Sequence, residues 1–187
     1  MTASNQFPGY LLIANPNNPK DSMGRSVILL TEHSGSRAVG IQINQPLANM
    51  TLQEVAINAG MEYQNDETTP LHFGGNFVTN KVNIIHSSDW HGSNTIKLTR
   101  DISVTQDISI LAAISQRQGP KYYRACSGCW IWDSYSLNYQ LDSDNMIERH
   151  RWEIAPAEIK TIFDLSGIEQ WRQALDDAAR FTTSQWF

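Results

Sequence analysis

The sequence predicts a single domain that combines β-strands with α-helices around a central β-hairpin. Residues 26–31 are almost wholly apolar, as in a strand buried on both faces. Residues 38–45 alternate apolar with polar side chains, as in a strand with one buried face. The polar residues 32–37 include a glycine and fit the loop between the two strands. Capping sequences at Thr51 and Ser166 predict that helices accompany the strands.

Turn signals bound the strands of the N-terminal half. Residues 9–14 form an apolar run that predicts a strand, and the Asn- and Pro-rich residues 15–19 end it. We expect Pro46 to end the second strand of the hairpin, because proline has no N–H to donate to a sheet.

The first helix is predicted at residues 52–59. Thr51 and Glu54 have the spacing of a capping box, so their side chains can satisfy free amides at the start of the helix. Gly60 can end this helix. The polar, acidic residues 62–70 predict a loop.

Two short strands and a second helix are predicted in the middle of the chain. The strands are residues 82–86 and residues 95–98. Thr105 or Asp107 could cap a helix over residues 108–118, and the Gly-Pro pair that follows stops it.

An aromatic-rich segment, residues 122–132, predicts a strand. We expect residues 135–142 to return as its antiparallel partner after a turn at residues 133–134.

The C-terminal region predicts two helices. Pro156 suits the first turn of one helix. Ser166 and Glu169 form a second capping box before the longer one. The apolar face of the longer helix is formed by Ile168, Trp171, Leu175 and Ala178. On its outer face we expect two ion pairs, Glu169 with Arg172 and Asp176 with Arg180.

Composition excludes several classes of function. The 187 residues suffice for one domain with a proper core, and the net charge of −5 with scattered basic residues makes direct nucleic-acid binding unlikely. Residues 1–6 lack the pattern of a signal peptide, and no apolar run approaches the length of a membrane span. Two cysteines do not make a secreted disulfide framework. We therefore expect a cytoplasmic protein without a membrane association.

Cys126 and Cys129 form a CxxC motif, which can be a redox pair or half of a zinc site. The flanking residues predict strand on both sides, and residues three apart in a regular strand face opposite ways. Only a bulge at Gly128 would bring the two sulfurs together. The sequence has no second CxxC and no HxxxH to complete a zinc site, so we predict two small buried residues and no metal site. A redox role stays the alternative.

His33, His72 and His86 each lie at a predicted strand end. Three histidines could meet around a metal or serve as a general base, but no H-x-H pair or H-E-x-x-H helix fixes such a geometry. We interpret each as a structural histidine with satisfied hydrogen bonds.

The candidate ligand site is assembled from turns and strand ends, where binding sites are usually built. Its residues are His33, Asn44, Gly74, Gly75 and His86. The glycine pair could let a backbone approach an anion, although a tight turn is the default interpretation. We expect a pocket where the loop of residues 32–37, the glycine pair and His86 converge.

Several strings resemble the AlgH/YqgE family of bacterial proteins. They are Leu-Ile-Ala-Asn-Pro at residues 12–16, the hairpin from residue 25 to residue 46, Phe-Gly-Gly at residues 73–75, the strand ending at His86, Trp-Glu-Ile-Ala-Pro-Ala-Glu at residues 152–158, and the closing helices around residues 162–174. Their order and spacing hold over nearly the whole chain.

The resemblance implies an α+β fold, with a curled, mostly antiparallel, barrel-like sheet and helices packed outside. It brings no established catalytic residues and no cofactor. The family name implies a role in regulating transcription of alginate genes, which an acidic protein would exert through protein contacts.

The chain departs from the family pattern at three places. Asn76 stands where relatives usually have proline, and residues 125–130 and 139–142 are strongly altered. Both cysteines fall where relatives do not generally carry a CxxC, so thiol chemistry common to the family is not expected.

The sequence thus predicts a non-enzymatic protein that binds a partner protein or a small ligand, with a regulatory effect. The alternative is a thiol- or metal-dependent enzyme that uses Cys126 and Cys129.

Overall fold

The molecule is organised by a ten-stranded sheet that curls into a half-barrel. The computed structural model describes residues 7–17, 23–65, 68–141 and 151–185. The expectations for residues 1–6, for part of the turn at residues 15–19 and for Asp142 lie outside these ranges.

All strand pairings among the described residues are antiparallel except that of β5 with β9. The order across the sheet is β10-β1-β2-β3-β9-β6-β8-β7, and β4 pairs with β5 alongside it. The strands are β1 (Tyr10–Ala14), β2 (Val27–His33), β3 (Arg37–Gln42), β4 (Pro46–Thr51), β5 (Pro70–Phe73), β6 (Phe77–Ser87), β7 (Ile96–Lys97), β8 (Ile102–Thr105), β9 (Tyr123–Asp133) and β10 (Trp152–Pro156).

Strand β9 is the centre of this arrangement. One of its edges pairs with β6. The other edge pairs with β5 in its first half and with β3 in its second half. Both edges of β9 are therefore paired along most of its length, although the pairing with β6 ends at Cys129, and its side chains face two differently packed surfaces.

Five helices cover the sheet: α1 (Leu52–Asn58), α2 (Ser109–Ser115), α3 (Ser134–Leu141), α4 (Ile159–Phe163) and α5 (Gly167–Ser184). Helices α1 and α2 cover one apolar cluster, and α3 covers a second cluster around Trp130 and Trp152. Alternate residues of the same strands face the other way, since side chains alternate along a strand. We call the side covered by α1, α2 and α3 the outer face.

The opposite side of the sheet, which we call the inner face, carries the third apolar cluster. Helices α4 and α5 pack on it through Ile162, Ala174 and Ala178. Its strand residues include Leu29, Ile41, Ile43, Ile85, Ile102, Val104 and Cys126. The helices cover one end of the inner face and leave the other end open.

The predicted fold class is confirmed, and so are its main elements. The hairpin is β2 and β3, and residues 27–30 are buried on both faces. The capping box of α1 is formed: the Glu54 N–H donates to Thr51 Oγ1 at 3.3 Å, and the Thr51 N–H donates to Glu54 Oε2 at 2.9 Å. The aromatic strand is β9, and the long C-terminal helix is α5.

The predicted returning strand at residues 135–142 is wrong, because α3 occupies most of that range. Asp133 caps the helix, accepting a hydrogen bond from the Ser136 N–H at 2.9 Å, and Leu137 is buried beneath it. Strand β3 pairs with residues 130–133 on one edge of β9, and on the other edge the pairing with β6 ends at Cys129.

Two prolines act differently from the prediction. Strand β3 ends at Gln42, and Pro46 begins β4. Pro156 ends β10, and α4 starts three residues later. Both prolines lie at strand termini, where a missing N–H removes no ladder hydrogen bond.

Details of the helix ends also differ from the prediction. Helix α2 is shorter, and Asp107 Oδ1 accepts from the Ser109 N–H at 3.0 Å. The Ser166 side chain makes no capping hydrogen bond. Arg172 pairs with Glu169 as expected, whereas Arg180 pairs with Asp177 and not with Asp176.

Candidate functional site

A cleft of about 800 Å³ occupies the open end of the inner face. Six consecutive strands of the sheet contribute to it, namely β2, β3, β9, β6, β8 and β7. Because the sheet is curled, side chains from one face of these strands converge there. The volume lies within the range of small-molecule sites in proteins, roughly 300–1,000 Å³.

The floor of the cleft is apolar. It is formed by Val39, Ile41, Ile96, Val104 and Ile131, together with the thiol-bearing Cys129. Ile41 and Val104 also belong to the inner core cluster, so the floor is the uncovered end of that cluster. Ile96 and Ile131 are exposed to solvent at 58% and 38%. Apolar area therefore remains that a bound molecule could remove from water.

Most polar side chains of the cleft are held by hydrogen bonds within the protein. Asn83 Nδ2 donates to the carbonyl of Gly128 at 2.9 Å, and Asn83 Oδ1 accepts from Gln106 Nε2 at 2.8 Å. Thr31 Oγ1 donates to the Val39 carbonyl at 3.2 Å. These groups hold the walls in place and have little capacity left for a ligand.

One rim carries a two-pronged ion pair between Glu32 and Arg37. Arg37 Nε and Nη2 each donate to a Glu32 carboxylate oxygen at 2.8 Å. The hydrogen bond and charge of Arg37 lower the pKa of the Glu32 carboxyl, and the same contacts raise the pKa of Arg37. The pair closes the hairpin between β2 and β3, and each charge neutralises the other.

Lys81 lies on β6 at another rim, next to Gln106. Among the described residues that line the cleft, it is the only charged side chain without an ionic partner. Lys81 and Gln106 also border a smaller cavity of about 290 Å³ between β6, α1 and α2. The lysine thus stands at the junction of two depressions.

A bulge in β9 places both cysteines on the inner face. Cys126 is fully buried in the inner core, and Cys129 packs against the same cluster and lines the cleft. Residues three apart in a regular strand would face apart. Gly128 has a φ of 77°, which interrupts the alternation between them, as the sequence analysis required.

The two thiols are free and weakly acidic. Burial raises the pKa of Cys126 to about 12, although the nearby Arg124 opposes this shift. Burial also raises the pKa of Cys129. Since the thiolate is the nucleophile and metal ligand, both cysteines are poorly suited to thiol chemistry at neutral pH.

The glycine pair supports the bulge by close backbone approach. A Cβ on Gly74 would lie 2.4 Å from the Gly128 carbonyl oxygen, and a Cβ on Gly75 would lie 2.1 Å from the Cys129 carbonyl carbon. Only glycine fits at such distances. The pair therefore packs against β9.

At the covered end of the inner face, Arg124 is buried and joins three parts of the chain. Its Nη1 donates to the Ile43 carbonyl at 2.7 Å, and its Nη2 donates to the Leu165 carbonyl at 2.7 Å. Gln170 Oε1 lies 3.5 Å from Nη1. No carboxylate among the described residues pairs with this guanidinium, so carbonyl oxygens carry its solvation.

His72 completes the surroundings of Arg124. Its Nε2 lies 2.8 Å from Arg124 Nη1, and because a guanidinium can only donate, Nε2 must be the acceptor of a neutral imidazole. Burial, and then the charge of Arg124, lower the pKa of His72 to about 4. His72 is therefore a structural acceptor at neutral pH.

His33 and His86 are buried in separate surroundings. His33 stacks on Phe7 with ring centroids 5.9 Å apart, and burial lowers its pKa. His86 Nδ1 lies 2.8 Å from the Ser87 carbonyl oxygen, its ring meets Trp90 edge-on, and burial lowers its pKa as well. Nδ1 of His33, Nδ1 of His72 and Nε2 of His86 are buried without a hydrogen-bond partner among the described atoms, so the prediction that their hydrogen bonds are satisfied is wrong for these ring nitrogens.

Asn44 is a structural link between the sheet and α5. Its Nδ2 donates to the carbonyls of Arg25 at 2.8 Å and Gly167 at 3.2 Å. Its Oδ1 accepts from the Val27 N–H at 3.0 Å. All three contacts are within the protein, which accounts for the carboxamide at this position.

None of the five candidate ligand residues His33, Asn44, Gly74, Gly75 and His86 lines the cleft. Of the groups that were expected to meet in one pocket, only Glu32 and Arg37 of the hairpin loop line the cleft. Sequence reasoning missed Lys81, Asn83 and Gln106. Because side chains alternate between the two faces of a strand, the sequence of β6 could have placed Lys81 and Asn83 on the same face as the buried Ile85.

The described residues show neither a cluster of metal ligands nor a membrane-spanning helix. In the part of the chain that the structure describes, no group of three or more His, Cys, Asp and Glu side chains is arranged to hold a metal ion. None of the described helices has the length and apolar composition needed to cross a lipid bilayer.

Comparison with known proteins agrees with this architecture. The sequence profile of a family described as AlgH-like matches residues 11–180. The chain belongs to the AlgH-like family. This AlgH-like protein is 28% identical over 187 residues to a UPF0301 protein of Sphingopyxis alaskensis, covering 98% of the chain and 97% of that relative. It is 29% identical over 177 residues to a UPF0301 protein of Thioalkalivibrio sulfidiphilus, covering 93% and 90%.

Two solved structures share the fold of this AlgH-like protein. The AlgH protein from Pseudomonas aeruginosa aligns with a TM-score of 0.74 at 22% identity, covering 95% of this chain and 91% of that one. Protein DIP2367 from Corynebacterium diphtheriae aligns with a TM-score of 0.69 at 19% identity, covering 92% and 87%. The family resemblance found in the sequence is confirmed.

Proposed function

We propose that this AlgH-like protein is a small-ligand-binding protein whose site is the cleft at the open end of the inner face. The observation that carries the proposal is the uncovered apolar floor around Val39, Ile96 and Ile131, enclosed by rigidly held polar walls. A preformed apolar concavity with few free polar groups is typical of small-molecule sites.

The surroundings of the cleft favour binding over catalysis. Its acid, Glu32, is neutralised by Arg37, and its thiol, Cys129, has a raised pKa. The carboxamides of Asn83 and Gln106 bond to each other, and that of Asn83 also bonds to the backbone. A nucleophile or general base would need a free, suitably tuned side chain within reach of a bound molecule.

The proposal includes a regulatory effect through protein contacts and a cytosolic location. Ligand binding across six strands could change the surface that another protein recognises. The net charge of −5 favours a protein partner over DNA. Two free thiols are typical of a reducing compartment.

Chemical-shift mapping against mixtures of metabolites tests the proposal. We expect the amide signals of Val39, Asn83, Ile96 and Ile131 to shift together when a ligand binds. Shifts that cluster on another surface, or a complete absence of binding across a broad library, would contradict the proposed site.

The cysteines provide an independent test within the native chain. Cys129 lines the cleft, whereas Cys126 is fully buried. A ligand identified by the screen should slow alkylation of Cys129 at mildly alkaline pH, while Cys126 stays unmodified with or without ligand. Mass-spectrometric fragmentation distinguishes the two sites. Unchanged alkylation of Cys129 at saturating ligand would place the binding site elsewhere.

A further inference from the structure

We propose that the ligand of the cleft is an amphipathic monocarboxylate whose apolar chain lies on the floor and whose carboxylate pairs with Lys81. This inference rests on the proposed function and specifies the class of ligand. It is supported by which groups of the cleft are already bonded within the protein and which remain available to a ligand.

The surface of the cleft that remains available to a ligand is mostly apolar. Five aliphatic side chains and the Cys129 thiol form the floor, and two of the aliphatic groups are more than a third exposed. A molecule that covers them gains about 25 cal/mol for each Å² of apolar surface removed from water. The body of the ligand must therefore be apolar.

A strongly hydrogen-bonding ligand, such as a sugar, does not match the walls. The Asn83 carboxamide is used at both ends, by Gly128 and Gln106. Thr105 Oγ1 donates to the Asn94 carbonyl at 3.3 Å and accepts from the Asp107 N–H at 3.0 Å. Such a ligand would have to break these bonds before it formed its own, with little net gain.

Lys81 gives the ligand its charge. Glu32 and Arg37 cancel each other at one rim, which leaves one ammonium group without an ionic partner among the described cleft residues. One ammonium group balances one negative charge, so a monocarboxylate matches better than a dianionic phosphate. Gln106 lies beside Lys81 and has a second amide N–H beyond the one donated to Asn83.

Three ten-carbon probes with the same chain separate head-group recognition from apolar binding. They are decanoate, decan-1-ol and decylamine, each titrated below its aggregation concentration while amide shifts are followed. We expect all shifts to map to the cleft and decanoate to bind most tightly. Decylammonium should bind most weakly, because its charge repels Lys81.

Two lysine variants complete the experiment. Lys81→Gln should weaken decanoate binding by roughly two- to fivefold, the size expected for one ion pair at an exposed lysine, and leave decan-1-ol binding unchanged. Lys97→Gln is the matched control, because Lys97 is exposed on β7 and does not line the cleft. It removes the same charge and should change neither affinity.

The results that overturn the inference are distinct from those that overturn the proposed function. Equal binding of decanoate and decan-1-ol in the cleft, unaffected by Lys81→Gln, would refute the carboxylate assignment and leave the cleft as a ligand site. Equal effects of Lys81→Gln and Lys97→Gln would reduce the role of Lys81 to net charge and would also refute it. Absence of binding by all three probes would refute it as well, whereas the metabolite screen decides separately whether the cleft binds any ligand.

Discussion

The two ends of the inner face are built from the same strands and finished in opposite ways. At the covered end, α4 and α5 lie over the sheet, and the charge of Arg124 is satisfied by carbonyls and His72. At the open end no described helix lies over the floor, and Lys81 has no described ionic partner. The covered end uses its cation for stability, and the open end leaves its cation and apolar floor available to another molecule.

Removing the cation of the covered end should have the largest effect. Arg124→Met leaves the Ile43 and Leu165 carbonyls and the His72 ring without their donor. We expect the free energy of unfolding to fall by about 4 kcal/mol, because buried acceptors that lose their donors cost about 1–3 kcal/mol each. Urea denaturation measures the change. A loss below about 1 kcal/mol would show that Arg124 does not hold the covered end together.

A substitution in the bulge at Gly128, between the two ends, should lower the free energy of unfolding nearly as much. In Gly128→Ala, the new methyl group would lie 2.5 Å from the Gly75 carbonyl oxygen, at a φ of 77° that L-residues rarely adopt. We expect a loss of about 3 kcal/mol from strain and overpacking together. Gly35→Ala is the control, because nothing lies within 4 Å of its Cβ position. Equal stability of the two variants would contradict the role of the bulge.

Acid should weaken the covered end through His72. Its pKa is lowered to about 4 in the folded protein, so the unfolded state takes up the proton first as the pH falls. Stability is fully present above about pH 6.5 and is lost as the pH falls through about 4, by roughly 3 kcal/mol in total. His72→Gln keeps an acceptor for Arg124 and does not titrate. The variant should show a shallower pH dependence than the parent in urea denaturation from pH 7 to pH 4, and parallel curves would exclude His72 as the source.

Filling the open end should change binding and hardly change stability. Ile131→Trp occupies the cleft from a position that is already partly exposed, and we expect a change in unfolding free energy within about 0.5 kcal/mol. Decanoate binding should fall below detection. Ile57→Trp, on the exposed side of α1 and away from the cleft lining, should bind decanoate as the parent does. If Ile131→Trp binds decanoate as tightly as the parent does, decanoate does not bind in the cleft.

The sequence predicts the fold well where a segment carries its own signal. The apolar hairpin, the capping box at Thr51 and the helical spacing in α5 are local patterns, and the structure contains all three elements. The segment that forms α3 alternates Ser, Asn and Gln with Tyr and Leu, which suits a strand, whereas in the structure Asp133 caps a helix there and Leu137 packs into the cluster around Trp130 and Trp152. Pairing across the sheet is a tertiary property that composition does not express.

The site is harder to predict for the same reason. Its residues extend from Thr31 to Ile131 and meet only because the sheet curls. The residue types that drew attention as reactive groups, the histidines and Cys126, are mostly buried among structural contacts. Lys81 carries no motif, and its significance comes from the lack of an ionic partner among the residues that the structure describes.

The pairing of β1 with β10 has a consequence for how the chain reaches this state. Tyr10 lies opposite Pro156, and Ala14 lies opposite Trp152, so β1 cannot complete its ladder until residues 152–156 have been synthesised. Helix α5, which covers Ile13 and Val27, emerges later still. A nascent chain therefore carries an unpaired strand edge and a bare apolar surface, and we expect slow final assembly and dependence on chaperones during translation.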